Sequence, residues 1–162
     1  MERPHKFSHK FCNFFVKTIS TFFGAGYLPF IPGTFGSAAG ITLYFIVRQN
    51  ILLYTCAIFV VTILGFLTAG KAAKVFNKRD PCCVVIDEVA GMLISLMFIP
   101  HDLKWVITGF LVFRLMDTLK PFPAARIERL HGSLGIMGDD IVAGIYTNIV
   151  LQLVLRLGLC AG

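Results

Sequence analysis

Residues 138–144, GDDIVAG, place two adjacent aspartates directly before an apolar run that continues almost to the C-terminus. Only nine of the 162 residues are acidic, so neighbouring acids at this position are an unusual use of charge. The run covers about residues 139–159, and about 20 apolar residues are enough for a helix to cross a bilayer. The stretch therefore predicts a membrane-associated helix that begins at a carboxylate pair.

The composition places the whole chain in or against a membrane. Hydrophobic residues make up 56% of the sequence and charged residues 15%, with a mean hydropathy of +0.77. Soluble domains are nearer ~45–50% apolar and about 25% charged. The net charge of +6 comes from basic residues beside apolar runs, which favours an anionic lipid surface over nucleic acid as the partner. The five cysteines are odd in number and include one vicinal pair, so no disulfide framework is expected, and the lack of a C-x-x-C pair argues against a zinc site.

The predicted fold is all-α, a small membrane-embedded helical bundle with an N-terminal interfacial amphipathic helix. Residues 1–23 form that basic helix, whose phenylalanine-rich face opposes a lysine-rich face: Phe7, Phe11, Phe14, Phe15, Ile19 and Phe22 against Lys6, Lys10, Asn13 and Lys17. Residues 24–162 form the membrane domain, with apolar segments at about 37–47, 51–73, 87–100, 103–119 and 139–159. Several segments are shorter than a full span, so we expect half-spans or helices buried within the bundle.

The basic residues are distributed unevenly between the two ends of this predicted bundle. One end receives Arg3, Lys6, Lys10, Lys17, Lys71, Lys74, Lys78, Arg79, Arg114, Lys120, Arg126 and Arg129, and the other receives Arg48, Lys104 and Arg156. The positive-inside rule predicts that the first end faces the cytoplasm. The same topology brings five of the nine acids to that end: Asp87, Glu88, Asp117, Asp139 and Asp140.

A short sequence pattern that occurs twice suggests a shared role for these acids. Residues 87–91, DEVAG, and residues 139–144, DDIVAG, each place two acids before small and β-branched residues and a glycine, and both are predicted to open a helix. Helix capping with salt bridges is the alternative interpretation, but one acid is enough for a cap. Because Mg²⁺ prefers carboxylate oxygens, we predict a metal site built from Asp87, Glu88, Asp117, Asp139 and Asp140. The echoed glycines would allow close helix packing.

Candidate phosphate-binding residues lie at the same end. Residues 32–37, PGTFGS, combine two glycines with the hydroxyls of Thr34 and Ser37, and such turns expose N–H groups to anions. Arg114 and Asp117 are three residues apart and share a helix face, with Lys120 one turn later. A buried ion pair between Arg114 and Asp117 explains this spacing as well as a phosphate clamp does. Arg126 is a further candidate cation.

Four motifs in this order resemble the phosphatidylglycerophosphatase A family: PGTFGS at 32–37, DEVAGM at 87–92, FRLMDTLKPFP at 113–123 and HGSLGIMGDDIVAG at 131–144. The resemblance covers about residues 20–160, with Ser133 standing where the family usually has glycine. It implies a Mg²⁺-dependent phosphatase of the bacterial inner membrane, acting on a phospholipid substrate. The implied reaction is hydrolysis of phosphatidylglycerophosphate to phosphatidylglycerol and phosphate in phospholipid biosynthesis.

A mechanistic hypothesis follows from the resemblance and the candidate residues. The five carboxylates hold Mg²⁺, which polarises the phosphoryl group and activates water. Arg114, Lys120 and Arg126 offset the developing negative charge, while Thr34 and Ser37 hold phosphate oxygens. The division of the acids between base and metal ligand stays open, and a covalent aspartyl-phosphate is an alternative. The sequence makes no prediction of the oligomeric state.

Two other functions are compatible with parts of the sequence. The CDP-alcohol phosphotransferase motif ends A-R-x₈-G-x₃-D-x₃-D, and Ala125, Arg126, Gly135 and Asp139 keep that spacing. However, position 143 is Ala and the upstream D-x-x-D-G is absent, so we interpret the match as a coincidence. A membrane transporter or scaffold subunit is the non-enzymatic alternative. A transporter is expected to carry its polar site near the middle of the membrane rather than at one face.

Overall fold

The structure is a computed structural model that describes the backbone of residues 5–160 and the side chains of residue 10 and residues 12–158. Within that range the chain forms seven α-helices, one 3₁₀ turn and no β-strand, which confirms the all-α prediction. The helices are α1 (His5–Ser20), α2 (Pro32–Val47), α3 (Ile51–Val75), α4 (Ile86–Ser95), α5 (Leu103–Leu119), α6 (Ala124–Ile127) and α7 (Ser133–Cys160), and the 3₁₀ turn is Ala25–Tyr27.

Two helices of the described range, α3 and the Ser133–Gly158 part of α7, are long and apolar enough to cross a membrane. The 25 residues of α3 extend about 37 Å at ~1.5 Å per residue, which exceeds a hydrocarbon thickness of about 30 Å. Both helices expose large apolar side chains along their length: Leu52, Phe59, Ile63 and Leu67 on α3, and Ile145, Ile149, Leu153 and Leu157 on α7. Exposed apolar surface of this extent fits contact with lipid.

The short helix α4 lies at the centre of the bundle, packed against α2, α3, α5 and α7. Eight of its ten residues are buried. The C-terminus of a helix leaves carbonyl groups without partners, and side chains of α7 supply hydrogen-bond donors at the C-terminus of α4. The Asn148 amide donates to the carbonyls of Ser95 at 3.1 Å and Met97 at 2.7 Å, and Gln152 donates to Phe98 at 3.3 Å. Irregular backbone inside a membrane bundle is tolerated where the protein satisfies it in this way.

Helices α4 and α7 cross at the two echoed glycines. A Cβ on Gly144 would lie 2.5 Å from the Gly91 carbonyl oxygen, and a Cβ on Gly91 would lie 2.7 Å from the Asp140 carbonyl oxygen. Since real Cβ atoms do not approach other atoms so closely, both positions require glycine. The prediction that these glycines allow close helix packing is confirmed.

The N-terminal helix α1 packs along α3, and its residues Val16 and Ser20 are buried. Phe14 and Phe15 are exposed, and the Lys17 ammonium lies 5.3 Å from the centre of the Phe76 ring. A helix is therefore present within residues 1–23, while its place at the membrane interface stays a prediction. Residues 1–4 and the side chains of the predicted faces at positions 6, 7 and 11 lie outside the described residues.

The acid pair Asp139-Asp140 does not open its helix, because α7 begins six residues earlier at Ser133. The prediction of a helix start at the pair is therefore wrong. Gly135 and Gly138 precede the predicted apolar run but belong to α7, and they let this helix approach the preceding segment closely. A Cβ on Gly138 would lie 2.3 Å from a methyl carbon of Ile127. Two turns inside the helix, the pair cannot cap the N-terminus of α7.

Candidate active site

A cavity of about 210 Å³ opens where the starts of α2 and α4 meet the end of α5 and the first turns of α7. Its lining consists of Pro32, Gly33, Asp80, Cys82, Val84, Asp87, Glu88, Arg114, Asp117, Lys120, Ile136, Asp139 and Asp140. All five acids that the sequence predicts to converge line this one cavity, together with two of the predicted cations. The topology inferred from the sequence therefore brings these side chains together, and their individual roles stay predictions.

Three of the acids form a tight carboxylate cluster. Asp87, Glu88 and Asp140 each offer one oxygen, and the three oxygens lie within 4.8 Å of one another. Asp87 and Asp140 are only 6% and 5% exposed. The buried oxygens Glu88 Oε2, Asp139 Oδ1 and Asp140 Oδ1 have no hydrogen-bond partner in the described part of the chain. Buried polar atoms are nearly always satisfied, so unpartnered carboxylate oxygens on acids that line one cavity are suitable ligands for a divalent cation.

The electrostatics of the cluster agree with its geometry. Burial raises the pKa of Asp87 well above its ordinary value, and the neighbouring Glu88 and Asp140 carboxylates raise it further. Burial also raises the pKa of Glu88, although the Asp87 hydrogen bond and the Arg114 charge oppose the shift. Both shifts express the free-energy penalty of several negative charges in a site poor in water. A divalent cation would favour the deprotonated forms and reverse this penalty.

Two cations border the carboxylate cluster. Arg114 Nη1 lies 2.9 Å from Asp117 Oδ2, so the predicted ion pair is present, and the guanidinium lines the cavity as well. Lys120, the residue that caps α5, lies 2.7 Å from Asp139 Oδ2 and 2.7 Å from Glu128 Oε1 through its Nζ. Burial lowers the pKa of Lys120, but the hydrogen bonds to the two carboxylates outweigh burial and leave the pKa above its ordinary value. Lys120 is therefore a fixed positive charge at the site.

The PGTFGS stretch contributes its glycine rather than its hydroxyls. It is helical, because α2 begins at Pro32, a residue suited to the first helical position. A Cβ on Gly33 would lie 2.5 Å from Glu88 Oε1, so a larger residue would displace that carboxylate from its present position. The buried Ser37 hydroxyl donates to the Gly33 carbonyl oxygen at 3.0 Å, and Thr34 does not line the cavity. The predicted phosphate contacts of these two hydroxyls find no support in the geometry and stay predictions.

The segment between α5 and α7 contributes Glu128 rather than Arg126. Arg126 is exposed and stacks on the Phe122 ring, with its guanidinium carbon 5.1 Å from the ring centre. The structure therefore does not bring Arg126 to the cavity. Glu128 instead holds Lys120 in place through their ion pair. The sequence did not indicate this role, because residues 120–138 lie between two predicted apolar segments, whereas in the structure they contain α6.

Asp80 is a lining residue that sequence reasoning did not select. In the sequence, Asp80-Pro81 indicates only the end of a helix. The predicted topology nevertheless places the connection between residues 73 and 87 at the same end as the five acids. Its position alone is therefore enough to include Asp80 among the candidate site residues. With Asp80, six of the nine acids of the chain line one cavity.

Comparison with known proteins identifies the family. A family model described as Phosphatidylglycerophosphatase A matches residues 18–155. The phosphatidylglycerophosphatase A of Escherichia coli (strain K12) is 37% identical over 135 residues, which cover 82% of this chain and 78% of that protein. The phosphatidylglycerophosphatase A of Haemophilus influenzae is 36% identical over 136 residues, which cover 80% of this chain and 82% of that protein.

A third relative, from Bacteroides thetaiotaomicron, is provisionally named phosphatidylinositol-3-phosphatase. It is 39% identical over 142 residues, which cover 82% of this chain and 89% of that protein. No solved structure matches the chain. The matched residues 18–155 contain every residue that lines the carboxylate cavity, so the cavity lies within the shared part of the family. The chain therefore belongs to the phosphatidylglycerophosphatase A family.

Proposed function

We propose that this chain hydrolyses phosphatidylglycerophosphate to phosphatidylglycerol and phosphate in the carboxylate-lined cavity, with Mg²⁺ bound there. Family membership and the names of the E. coli and H. influenzae relatives support the phosphatase activity and the substrate. The observation that carries the metal part of the proposal is the set of three acidic oxygens within 4.8 Å, contributed by Asp87, Glu88 and Asp140. The two long apolar helices support action at a membrane.

The residues of the cavity fit Mg²⁺ by their chemistry. Carboxylate oxygens are the ligands that this hard cation prefers, and oxygens of two of the three acids have no hydrogen-bond partner in the described range. Asp87, Glu88 and Asp140 would hold the ion, with Asp117 and Asp139 beside them. When bound, the ion would supply Lewis-acid polarisation of the phosphoryl group.

The remaining side chains of the cavity hold the phosphomonoester and move a proton. Arg114 and Lys120 offset the negative charge of the phosphoryl group as the bond to the glycerol oxygen breaks. Lys120 also fixes Asp139 through its Oδ2, which leaves Asp139 Oδ1 without a partner in the described residues. We assign Asp139 as the group that accepts a proton from the attacking water. The glycerol oxygen takes up a proton as it leaves, which balances the hydrolysis.

The charge distribution supports a site that faces the cytoplasm. The cavity lies at the end of the bundle that holds the C-terminus of α3 and the N-terminus of α7. Cations near that end include Lys71, Lys74, Lys78, Arg79 and Arg129, whereas Arg48 and Lys104 lie near the opposite end. The positive-inside rule places the richer end in the cytoplasm.

The B. thetaiotaomicron relative supplies a second candidate substrate, phosphatidylinositol 3-phosphate. Both lipids carry a phosphomonoester on an alcohol that is joined to diacylglycerol through a phosphodiester. The same cavity chemistry serves either lipid, so the ratio of kcat/KM for the two lipids in one detergent system decides between them. The CDP-alcohol alternative lacks support in the structure, because Ala143 is fully buried where that motif requires a carboxylate.

The experiment that tests the proposal measures phosphate release from phosphatidylglycerophosphate in detergent micelles, with Mg²⁺ and with a chelator. We expect release only with the cation, and no release of CMP from CDP-alcohol lipids. Asp87→Asn should abolish release, whereas the matched control Asp102→Asn should not. Asp102 is an exposed acid at the opposite end of α5, paired loosely with Lys104 at 3.9 Å. Full activity of Asp87→Asn, or release that ignores the chelator, would contradict the metal site.

A further inference from the structure

A second concavity adjoins the carboxylate cavity, and the surface into which it continues is rich in basic side chains. It has a volume of about 230 Å³ and shares Asp80 and Ile136 with the carboxylate cavity. It continues past Arg79 and Gly132 into a wider hollow of about 500 Å³. We call the two hollows together the basic groove, defined by the side chains Lys74, Lys78, Arg79, Arg129 and His131.

The cations of the basic groove are available to a ligand. None of its lysines or arginines forms an ion pair with an acid among the described residues. Of the two acids in the groove, Glu128 is engaged by Lys120 at 2.7 Å, which leaves Asp80 at the border with the cavity. The Arg79 guanidinium donates to the Arg129 carbonyl oxygen, and this bond fixes Arg79 against the opposite wall. Its other N–H groups remain free to donate to an anion.

The backbone and the surrounding surface also suit an anionic lipid. The groove wall contains Gly132 and Gly135, so the N-terminus of the long helix α7 borders it. Helix N-termini favour negative charge. Exposed apolar side chains lie directly beside the groove, namely Leu130 in its lining and Leu134 on the first turn of α7. A ligand with a charged headgroup and acyl chains finds both kinds of surface here.

We propose that the basic groove binds the phosphodiester of the lipid substrate while the terminal phosphomonoester occupies the carboxylate cavity. This inference rests on the proposed function and extends it to substrate specificity. In phosphatidylglycerophosphate a glycerol joins the two phosphates, and in the structure the two hollows meet at Asp80 and Ile136. Arginine suits the diester because its planar fork donates to two phosphate oxygens at once. The groove thereby selects lipids that carry a phosphodiester in addition to the phosphomonoester.

The test compares a lipid with both phosphates and a lipid with the phosphomonoester alone. Phosphatidylglycerophosphate and phosphatidic acid are assayed in mixed micelles of fixed composition with Arg79→Ala and Arg129→Ala. For each variant we expect KM for phosphatidylglycerophosphate to rise on the order of tenfold with little change in kcat. KM for phosphatidic acid should stay unchanged, and Arg79→Lys should recover part of the affinity. Lys104→Ala, an exposed cation at the opposite end, is the matched control.

The outcomes separate this proposal from the proposed function. An equal rise in KM for both lipids, or an unchanged KM for phosphatidylglycerophosphate, would overturn the role of the groove. Absence of Mg²⁺-dependent release by the unmodified protein would instead overturn the proposed function. Arg129→Ala is expected to keep the fold, because the Arg129 side chain has no hydrogen-bond or ion-pair partner in the described residues. The hydrogen bond from Arg79 uses the backbone carbonyl of Arg129 and not the Arg129 side chain.

Discussion

The two ends of the bundle bury polar side chains in opposite ways. At the end away from the cavity, Tyr44 is 1% exposed, and its hydroxyl lies 2.9 Å from Nδ1 of His101. Arg48 donates to the His101 carbonyl oxygen at 3.0 Å, and the buried Tyr54 hydroxyl donates to the carbonyl of Leu93. At the cavity end, oxygens of Glu88, Asp139 and Asp140 are buried without a partner among the described residues.

This difference separates a structural network from a functional one. A satisfied network holds helices together, and its polar atoms add modestly to stability. A buried oxygen without a partner lowers stability, and a protein keeps it where a ligand or a reaction uses it. The far network joins α2, α3 and the α4–α5 connection, whereas in the near cluster burial and neighbouring acids raise the pKa of Asp87. We therefore expect substitutions at the two ends to separate activity from stability.

The largest effect is expected from Asp140→Asn. Loss of one carboxylate from the three-acid cluster should reduce Mg²⁺-dependent phosphate release on the order of 10³-fold. The same change removes a repelling charge, so the metal-free variant should unfold at an equal or higher temperature than the unmodified protein. Phosphate assays and thermal unfolding in detergent with a chelator measure the two effects. A variant that loses activity because it has lost its fold would contradict the distinction between the ends.

A smaller loss of activity is expected from Gly33→Ala. Its new methyl group would lie 2.5 Å from Glu88 Oε1 and 3.2 Å from both terminal nitrogens of Arg114. These are the ends of long side chains that can move, so the fold should persist while the cluster is displaced. We expect kcat to fall on the order of 10²-fold, as for a misplacement of about 1 Å. Gly24→Ala serves poorly as a control because of its positive φ, whereas Gly158→Ala meets no neighbouring atom.

The affinity for Mg²⁺ should fall with decreasing pH over a range where ordinary carboxyl groups no longer titrate. The pKa of Asp87 is raised by burial and by its acidic neighbours, so its proton persists above the ordinary pKa of about 4. The cation binds the deprotonated form, and the half-saturating Mg²⁺ concentration should therefore rise about tenfold per unit of pH decrease for each proton displaced. Activity titrations with Mg²⁺ at several pH values measure this slope. A half-saturating concentration that stays constant until ordinary carboxyl groups titrate, near pH ~4, would contradict the raised pKa.

The smallest effect on activity is expected from Tyr44→Phe at the far end. Removal of the hydroxyl leaves Nδ1 of His101 without its partner and should lower the free energy of unfolding by about 1–2 kcal/mol. Phosphate release at saturating Mg²⁺ should stay within about twofold of the unmodified protein, because the far network does not reach the cavity. Chemical unfolding in detergent and the phosphate assay check the two statements. A large loss of activity would show that the ends are coupled.

Sequence reasoning located helices best where polar residues bracket an apolar run. The predicted segment 103–119 coincides with α5, since Asp102 precedes it and Lys120-Pro121 end it. The convergence of five acids followed from the order and direction of the segments alone. These features depend on local patterns and on topology, which a single sequence records.

The same reasoning failed where glycine served packing instead of turns. Gly135 and Gly138 lie outside the predicted apolar segments but belong to α7, where neighbouring atoms approach both glycines closely. Residues 32–37 suggest a phosphate loop, but Pro32 starts a helix, and of these residues Pro32 and Gly33 line the cavity. Which role a glycine plays depends on the atoms of another segment, and no local pattern contains that information.

The contact between Gly91 and Gly144 determines how the site can respond to its ligand. Each glycine lies about one helical turn from an acid of the carboxylate cluster, Asp87 and Asp140 respectively. The separation of the two backbones that carry these carboxylates is therefore fixed by the close contact of the helices. Such preorganisation reduces the conformational entropy lost when a cation binds. In the proposed metal site, a larger cation would therefore have to be accommodated by the acidic side chains, because the helix crossing cannot tighten or shift without a clash of the two backbones.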